Sequence, residues 1–305
     1  STALIRAMTT TQAAALGSTQ TSVMTGAQVA VLATDDLVKL STTAISAIDP
    51  LAVPKLTTTQ VNALTTDQVV ALTGAEVRAL TTSQLLGLST SQLAAIETND
   101  VASLTSTQLN ALETTDLQAL STTNVALLTT TQVKGLTATQ IGDLTATQVQ
   151  SLADTQLAVL TNTQIKALET TDLANLTTTQ LGALSATQVA ALETADLQAL
   201  TTTNIAALST TQVSGLTATQ VGNLLDTQVT ALSTTNLAAL NVTQVKGLEV
   251  ADLALLTTTQ VNSPSPALAH SLSASSSAAI SRLRRWIASP SVFIVRACCS
   301  RPGRP

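Results

Sequence analysis

Aromatic side chains are all but missing from this 305-residue chain, which holds one Trp (Trp286), one Phe (Phe293) and no Tyr. Such side chains supply much of the buried area in an ordinary globular core. Any core here is therefore thin, regular and built from Leu, Val, Ile and Ala. Histidine is reduced to His270 alone, and the two cysteines, Cys298 and Cys299, are adjacent and close to the C-terminal end. The rest of the chain has no disulfide framework and no cysteine staple for a metal, and adjacency fits neither zinc-ligand spacing nor a redox CxxC pair. No run of about 18 apolar residues is present to span a membrane. Positive charge is scarce: seven of the 13 basic residues precede Ser281, against all 18 acidic ones. That sparse acidic character excludes nucleic acid as a partner, because phosphates require clustered Lys and Arg. It also keeps a long array soluble and self-repelling.

What the chain has in abundance is repetition. Leu, with Met or Ile standing in, occupies every position divisible by eight from Met8 to Leu256. The consensus octad is L-T-T-T-Q-V-x-A, with Leu at position 0, Gln at position 4 and Val or another aliphatic residue at position 5. A period this regular overrides the prior that a chain of this length holds two ordinary domains.

Each octad carries the signals of one short helix. Thr or Ser follows the Leu, and Gln, Asp or Asn follows three places later, as in Thr137 with Gln140, Thr145 with Gln148 and Ser209 with Gln212. This is the capping-box spacing, in which the hydroxyl accepts from the N3 amide and the N3 side chain reaches back to the N-cap amide. Leu136 and Ile141 stand at the hydrophobic-staple positions flanking that box. Small or turn-tolerant residues such as Gly135, Asp143, Asn223 and Gly247 precede the next Leu, where the helix should end. The spacing predicts an all-α solenoid of very short capped helices, one per octad. A β-solenoid is the alternative, but strand alternation sends positions 0 and 5 to opposite faces unless each octad bends. One continuous helix fails because an average apolar spacing of four drifts around a 3.6-residue turn. Helices of about six residues are too short to survive alone, so support has to come from stacking and accumulate along the array.

A longer period lies over the octads. Glu113–Asn124 (ETTDLQALSTTN) returns as Glu193–Asn204 (ETADLQALTTTN), and Glu169–Asp172 returns as Glu249–Asp252, both 80 residues on. Ten octads read as a duplicated block. Residues 1–56 form imperfect N-terminal octads, with Ala33 and Ala44 in place of box residues and two prolines in one octad. Pro50 falls at N1, where proline is tolerated, whereas Pro54 should end or distort its helix. Residues 57–262 form the regular array with its 80-residue super-repeat. Residues 263–305 form an irregular Ser-, Pro- and Arg-rich tail with no acidic residue, expected to be disordered. It reads either as an out-of-frame extension without a selected function of its own or as a basic segment for acidic partners; residues 280–297 also carry a weak membrane-surface pattern that Pro290 interrupts.

Candidate chemistry is thin. The pairs Glu97/Asp100, Glu113/Asp116, Glu169/Asp172, Glu193/Asp196 and Glu249/Asp252 place two carboxylates three residues apart, in the manner of a calcium or acid–base pair. They are dispersed, no His, Tyr or Cys stands among them, and carboxylates favour the positive end of a short helix. The single glycines form no phosphate-cradling loop and read as helix ends or close-packing sites. No catalytic, cofactor-binding or metal-binding residue is assigned, no cofactor is expected, and the chain is read as non-enzymatic. Threonine at positions 1 to 3 offers one further reading, a flat hydroxyl face of the kind that binds ice.

The octads Leu136–Leu144 (LTATQIGDL) and Leu176–Leu184 (LTTTQLGAL) resemble the L-T-x-x-Q-V-x-A repeats of very long bacterial surface or secreted proteins, labelled adhesin-like, haemagglutinin-like or haem-utilisation proteins. The resemblance covers about residues 8–262. It implies export, an extracellular or cell-surface location and a structural role as an adhesive stalk or fibre, with an unknown surface or self-association partner. It also implies that the chain, which begins at Ser1 without a signal segment, is a piece of a longer protein. The haem label finds no ligand in the array, which has no His, Cys or Tyr. A likeness to the first helix of TAL-effector repeats fails on period and on the missing basic residues.

Overall fold

A computed structural model describes residues 1–248 and 250–261. Among these residues lie 32 short α-helices, from Thr2–Arg6 to Thr258–Val261, one 3-10 helix at Val53–Lys55, and no strand. The all-α solenoid of one short helix per octad is therefore the observed architecture, and the β-solenoid alternative is excluded. The chain divides into two compact units, Ser1–Leu168 and Glu169 onward. The tail from residue 263, with His270, Trp286, Phe293, Cys298 and Cys299, lies outside the described residues.

One octad shows how each is built. Thr137 is the N-cap of helix Ala138–Gly142, with extended backbone (φ −69°, ψ 160°). Its hydroxyl accepts from the Gln140 N–H at 3.0 Å, and its own N–H donates to Gln140 Oε1 at 2.9 Å. The two bonds satisfy two of the amides that open every helix without a partner. The preceding Leu136 is extended as well (φ −64°, ψ 148°). Its N–H donates to Val133 O at 3.2 Å, a tightened last turn of 3-10 type. Each octad thus consists of up to six helical residues and a short extended link formed by the Leu and the capping residue.

The helices do not end on left-handed residues, as a terminal glycine would permit. No described residue, glycine included, has positive φ. Gly142 and Gly222 matter for approach instead: a Cβ on Gly142 would stand 2.5 Å from Ala167 O, and one on Gly222 would stand 2.3 Å from Gly247 O. The backbones of successive turns nearly touch there, and only hydrogen fits.

The interior uses three positions per octad. Leu136, Gln140, Ile141 and Leu144 are all buried, with Ile141 fully enclosed. Two aliphatic side chains and one glutamine therefore line the core at each step. The glutamine carries a second set of bonds that capping does not require. Gln140 Nε2 donates to Leu109 O at 3.0 Å and Leu112 O at 2.9 Å, 31 and 28 residues back. Gln84 does the same to Val53 and Leu56, and in the second unit Gln212 to Leu181 and Leu184, and Gln244 to Val213 and Leu216. The acceptors belong to the end of one helix and the link that follows it, where carbonyls lack intrahelical partners. A second class of bond ties position 6 to position 7 three octads later, as in Asn110 Nδ2 to Gly135 O at 3.0 Å and Gln198 Nε2 to Asn223 O at 2.7 Å. With links at offsets of 25, 28 and 31 residues, one turn of the solenoid takes three to four octads.

Irregular octads keep the core register and lose the bonds. In residues 48–56, Ile48, Ala52, Val53 and Leu56 stay buried, but the α-helix is replaced by a turn and the 3-10 helix that contains Pro54. Pro54 distorts as its position predicts; Pro50 sits in the turn instead of opening a helix, and Asp49 Oδ1 caps that turn by accepting from Leu51 N–H at 2.9 Å. At the N-terminal end Gln12 and Gln20 are exposed, and Leu4 is 70% exposed.

Two substitutions in one octad separate these roles. Gln140→Leu keeps the aliphatic volume but strips the Leu109 and Leu112 carbonyls of their donor, and should cost about 2 kcal/mol or more in chemical denaturation. Thr139→Ala, exposed one residue earlier, should change stability by less than about 0.5 kcal/mol.

Candidate functional surface

With positions 0, 4 and 5 turned inward, positions 1 to 3 and 6 to 7 form the surface. Position 1 is not free to present its hydroxyl, because that group is part of the cap. Thr57 Oγ1 accepts from Gln60 N–H at 3.1 Å and lies 3.1 Å from Gln60 Oε1. Position 3 is drawn into the same cluster in several octads: Thr145 and Thr147 hydroxyls are 3.1 Å apart, and those of Ser185 and Thr187 are 3.0 Å apart. The outward hydroxyl array is consequently narrower than three threonines per octad suggests, and it rests chiefly on position 2. Between turns the surface has shallow open grooves. One is lined by Thr82, Ser106, Thr107, Asn110, Ala111 and Gly135.

The carboxylate pairs are distributed one to an octad, and their aspartates take the glutamine's place at position 4. Asp196 is the fullest case: Oδ2 accepts from the Glu193 N–H at 2.9 Å, while Oδ1 accepts from Thr170 Oγ1 at 2.8 Å, 26 residues back. Asp172 caps through the Glu169 N–H at 3.2 Å. Burial pushes the carboxyls of Asp100, Asp116 and Asp172 above the usual carboxylate range. The neighbouring glutamate of each pair adds to that rise, so the two members repel. A backbone N–H, from Gly74, Glu113 and Glu169 respectively, works in the opposite direction. Asp172 and Asp196 thus take the glutamine's place in the cap, while the glutamate at their N-cap makes no side-chain cap bond; Asp100 is bonded instead from Gly74, in another turn. Glu249 lies outside the described residues. No group of three or more His, Cys, Asp or Glu among the described residues is placed to hold a metal ion.

The family model of the ALTTAQ repeat matches residues 29–74, 93–127, 109–146, 165–194 and 189–225, together more than half of the chain. This chain belongs to the ALTTAQ repeat family. No curated protein matches it. The six letters of the family's name correspond to octad positions 7 and 0 through 4, represented here by Ala63-Leu64-Thr65-Thr66-Asp67-Gln68. Each matched region spans several octads, as a solenoid in which one turn takes three to four octads would require. The ALTTAQ unit therefore contains the cap residues and the buried glutamine that joins one turn to the next.

Sequence reasoning located the cap and missed the inter-turn donor. The available signal was length: a capping box accepts several acceptors at N3, yet this chain overwhelmingly uses Gln, whose second, donating end has the longest reach. The shorter exceptions show what that end is worth. Asn204 Nδ2 still reaches Leu176 O at 2.9 Å, but Asn236 Nδ2 is buried with no partner. Restoring the length with Asn236→Gln should let the side chain bond the Ser233 N–H and the carbonyls of Ile205 and Leu208, raising stability by about 1 kcal/mol or more. A thermal melt of the variant against the parent checks this; no gain, or a loss, contradicts it.

Proposed function

We propose that this ALTTAQ repeat protein is a non-enzymatic structural element of a bacterial cell surface, an adhesive stalk or fibre in which length and a repeated outer face are the useful properties. The observation that carries the reading is the uniform assignment of each octad's chemistry to building. The buried polar side chain joins turns, the hydroxyl at position 1 caps helices, and Asp172 and Asp196 of the acidic pairs replace the glutamine in its cap. What remains outward is small, hydroxyl-rich and weakly acidic, and it recurs every eight residues. Stability that depends only on neighbouring turns permits lengthening by duplication, which the 80-residue block repeat supports. The acidic balance disfavours nucleic acid, and no helix among the described residues is long and apolar enough to cross a membrane.

A second reading keeps the same architecture and uses the exposed threonines of positions 2 and 3 as an ice-binding face. Its support is their constant placement outside the core, as at Thr58 and Thr59 or Thr178 and Thr179. Export and ice binding are separable. Antibodies raised against the octads should label intact cells of the organism that carries the gene; labelling only after lysis contradicts a surface role. Purified protein should leave ice recrystallisation unchanged, and inhibition at micromolar concentration moves the function to the second reading.

A further inference from the structure

Among the position-4 residues, Glu76 stands alone as a glutamate. It is 1% exposed, in the first compact unit. One carboxyl oxygen does the glutamine's capping work: Oε2 accepts from the Thr73 N–H at 2.8 Å and from the Thr73 hydroxyl at 2.8 Å. The other oxygen occupies the end where glutamine carries its NH2. Oε1 is buried and has no hydrogen-bond partner. On either side the ladder is intact, since Gln68 Nε2 donates to Leu37 O and Leu40 O at 2.9 Å each, and Gln84 Nε2 to Val53 O and Leu56 O at 2.8 and 2.7 Å. The same offsets from residue 76 lead to the carbonyls of Ile45 and Ile48. At that place in the ladder an ionised oxygen offers a lone pair where a donor is needed.

We propose that Glu76 is held as the neutral carboxylic acid, with its proton on Oε1 donated toward the Ile45 and Ile48 carbonyls, so that a proton completes the inter-turn ladder at this step. The proton comes from water and returns to it as the pH rises, and no other bond is made or broken. Three surroundings favour this form. A cavity of about 10 Å3 beside Glu76 is otherwise lined by aliphatic side chains, among them Ile45, Ile48, Val53 and Leu72. A water there would meet almost nothing polar, so solvent does not replace the missing donor. Helix Gly74–Ala79 packs against helix Thr98–Val101 and against Val53–Lys55. The first brings Asp100 and, at its N-cap, Glu97, both negative when ionised. From the second, the Lys55 side chain lies against Gly26, where its Cγ would be 2.6 Å from an added Cβ. On its own helix Arg78 is exposed. Burial, foremost, and Asp100 push the Glu76 carboxyl above its ordinary value, against the two Thr73 bonds.

The folded-state value lies above the unfolded one, so the stabilisation is complete in acid, below the ordinary carboxylate range. It is lost as pH rises through the folded-state value.

The full chain labelled with 13C at the glutamate carboxyls tests this directly by NMR, the Glu76 signal being assigned by its loss in Glu76→Gln. Glu76 is expected to titrate at higher pH than the other glutamates. The variant, whose side chain donates at every pH, should melt at least about 2 °C above the parent at pH 7.5 and level with it at pH 4. Titration of Glu76 together with the exposed glutamates overturns the proposal. So does a melting difference that is the same at both pH values, or a Glu76→Gln chain that fails to fold at either.

Discussion

The structure depends on a side-chain amide that is used at both ends. The glutamine at octad position 4 accepts the N-cap amide of its own helix through Oε1 and donates to carbonyls one turn back through Nε2. A five- or six-residue helix has at least as many unpaired backbone groups as paired ones, and nucleating it costs more than its few internal bonds return. The glutamine removes the deficit at both places where it arises, at the start of one helix and at the end of another. Because it is buried, each bond is made in a low-dielectric setting where leaving it unmade would be expensive. Local capping and long-range stacking are consequently carried by one side chain.

That coupling explains the composition. A core only two aliphatic residues deep per octad has no room for aromatic rings, and the chain has almost none. The threonines are spent on caps and on a surface that needs no charge to stay hydrated. Glycine enters where successive backbones come into contact, as at Gly142 and Gly222, with ordinary helical or extended backbone throughout. Departures from the consensus test the same logic. Ala44 and the Pro50–Pro54 octad keep the buried register and forgo bonds, while Asn236 and Glu76 leave a buried polar atom without a partner.

Much of this was legible in the sequence. The period of Leu, the Thr-x-x-Gln box at Thr137–Gln140 and the parity argument between positions 0 and 5 lead to short helices and a solenoid without coordinates. The number of octads per turn was not legible, because it follows from which carbonyls lie 28 and 31 residues behind Gln140, and nothing local encodes that distance. The role of glycine was legible as two alternatives, helix end or close-packing site, and only the approach of Ser106 to Gly135 and of Ala218 to Gly247 from another turn decides for close packing. The candidate surface was legible in part. The capping box already assigns the first threonine of an octad to the cap; what the sequence does not show is that the third is often tied to the first, as Thr147 is to Thr145. As for the carboxylate pairs, the sequence anticipates their place at helix starts, and the structure adds that Asp196 also reaches across a turn to Thr170.

The most direct test of the glutamine ladder is hydrogen exchange at the side-chain amides, read by 15N NMR on the full chain. Buried amides donating to two carbonyls, such as those of Gln140, Gln212 and Gln244, should exchange far more slowly than those of the exposed Gln12 and Gln20, by about a hundredfold or more if opening requires parting two turns. Uniformly fast exchange, with the core glutamines indistinguishable from the exposed pair, would contradict the account, because it would mean that the turns are held together without them.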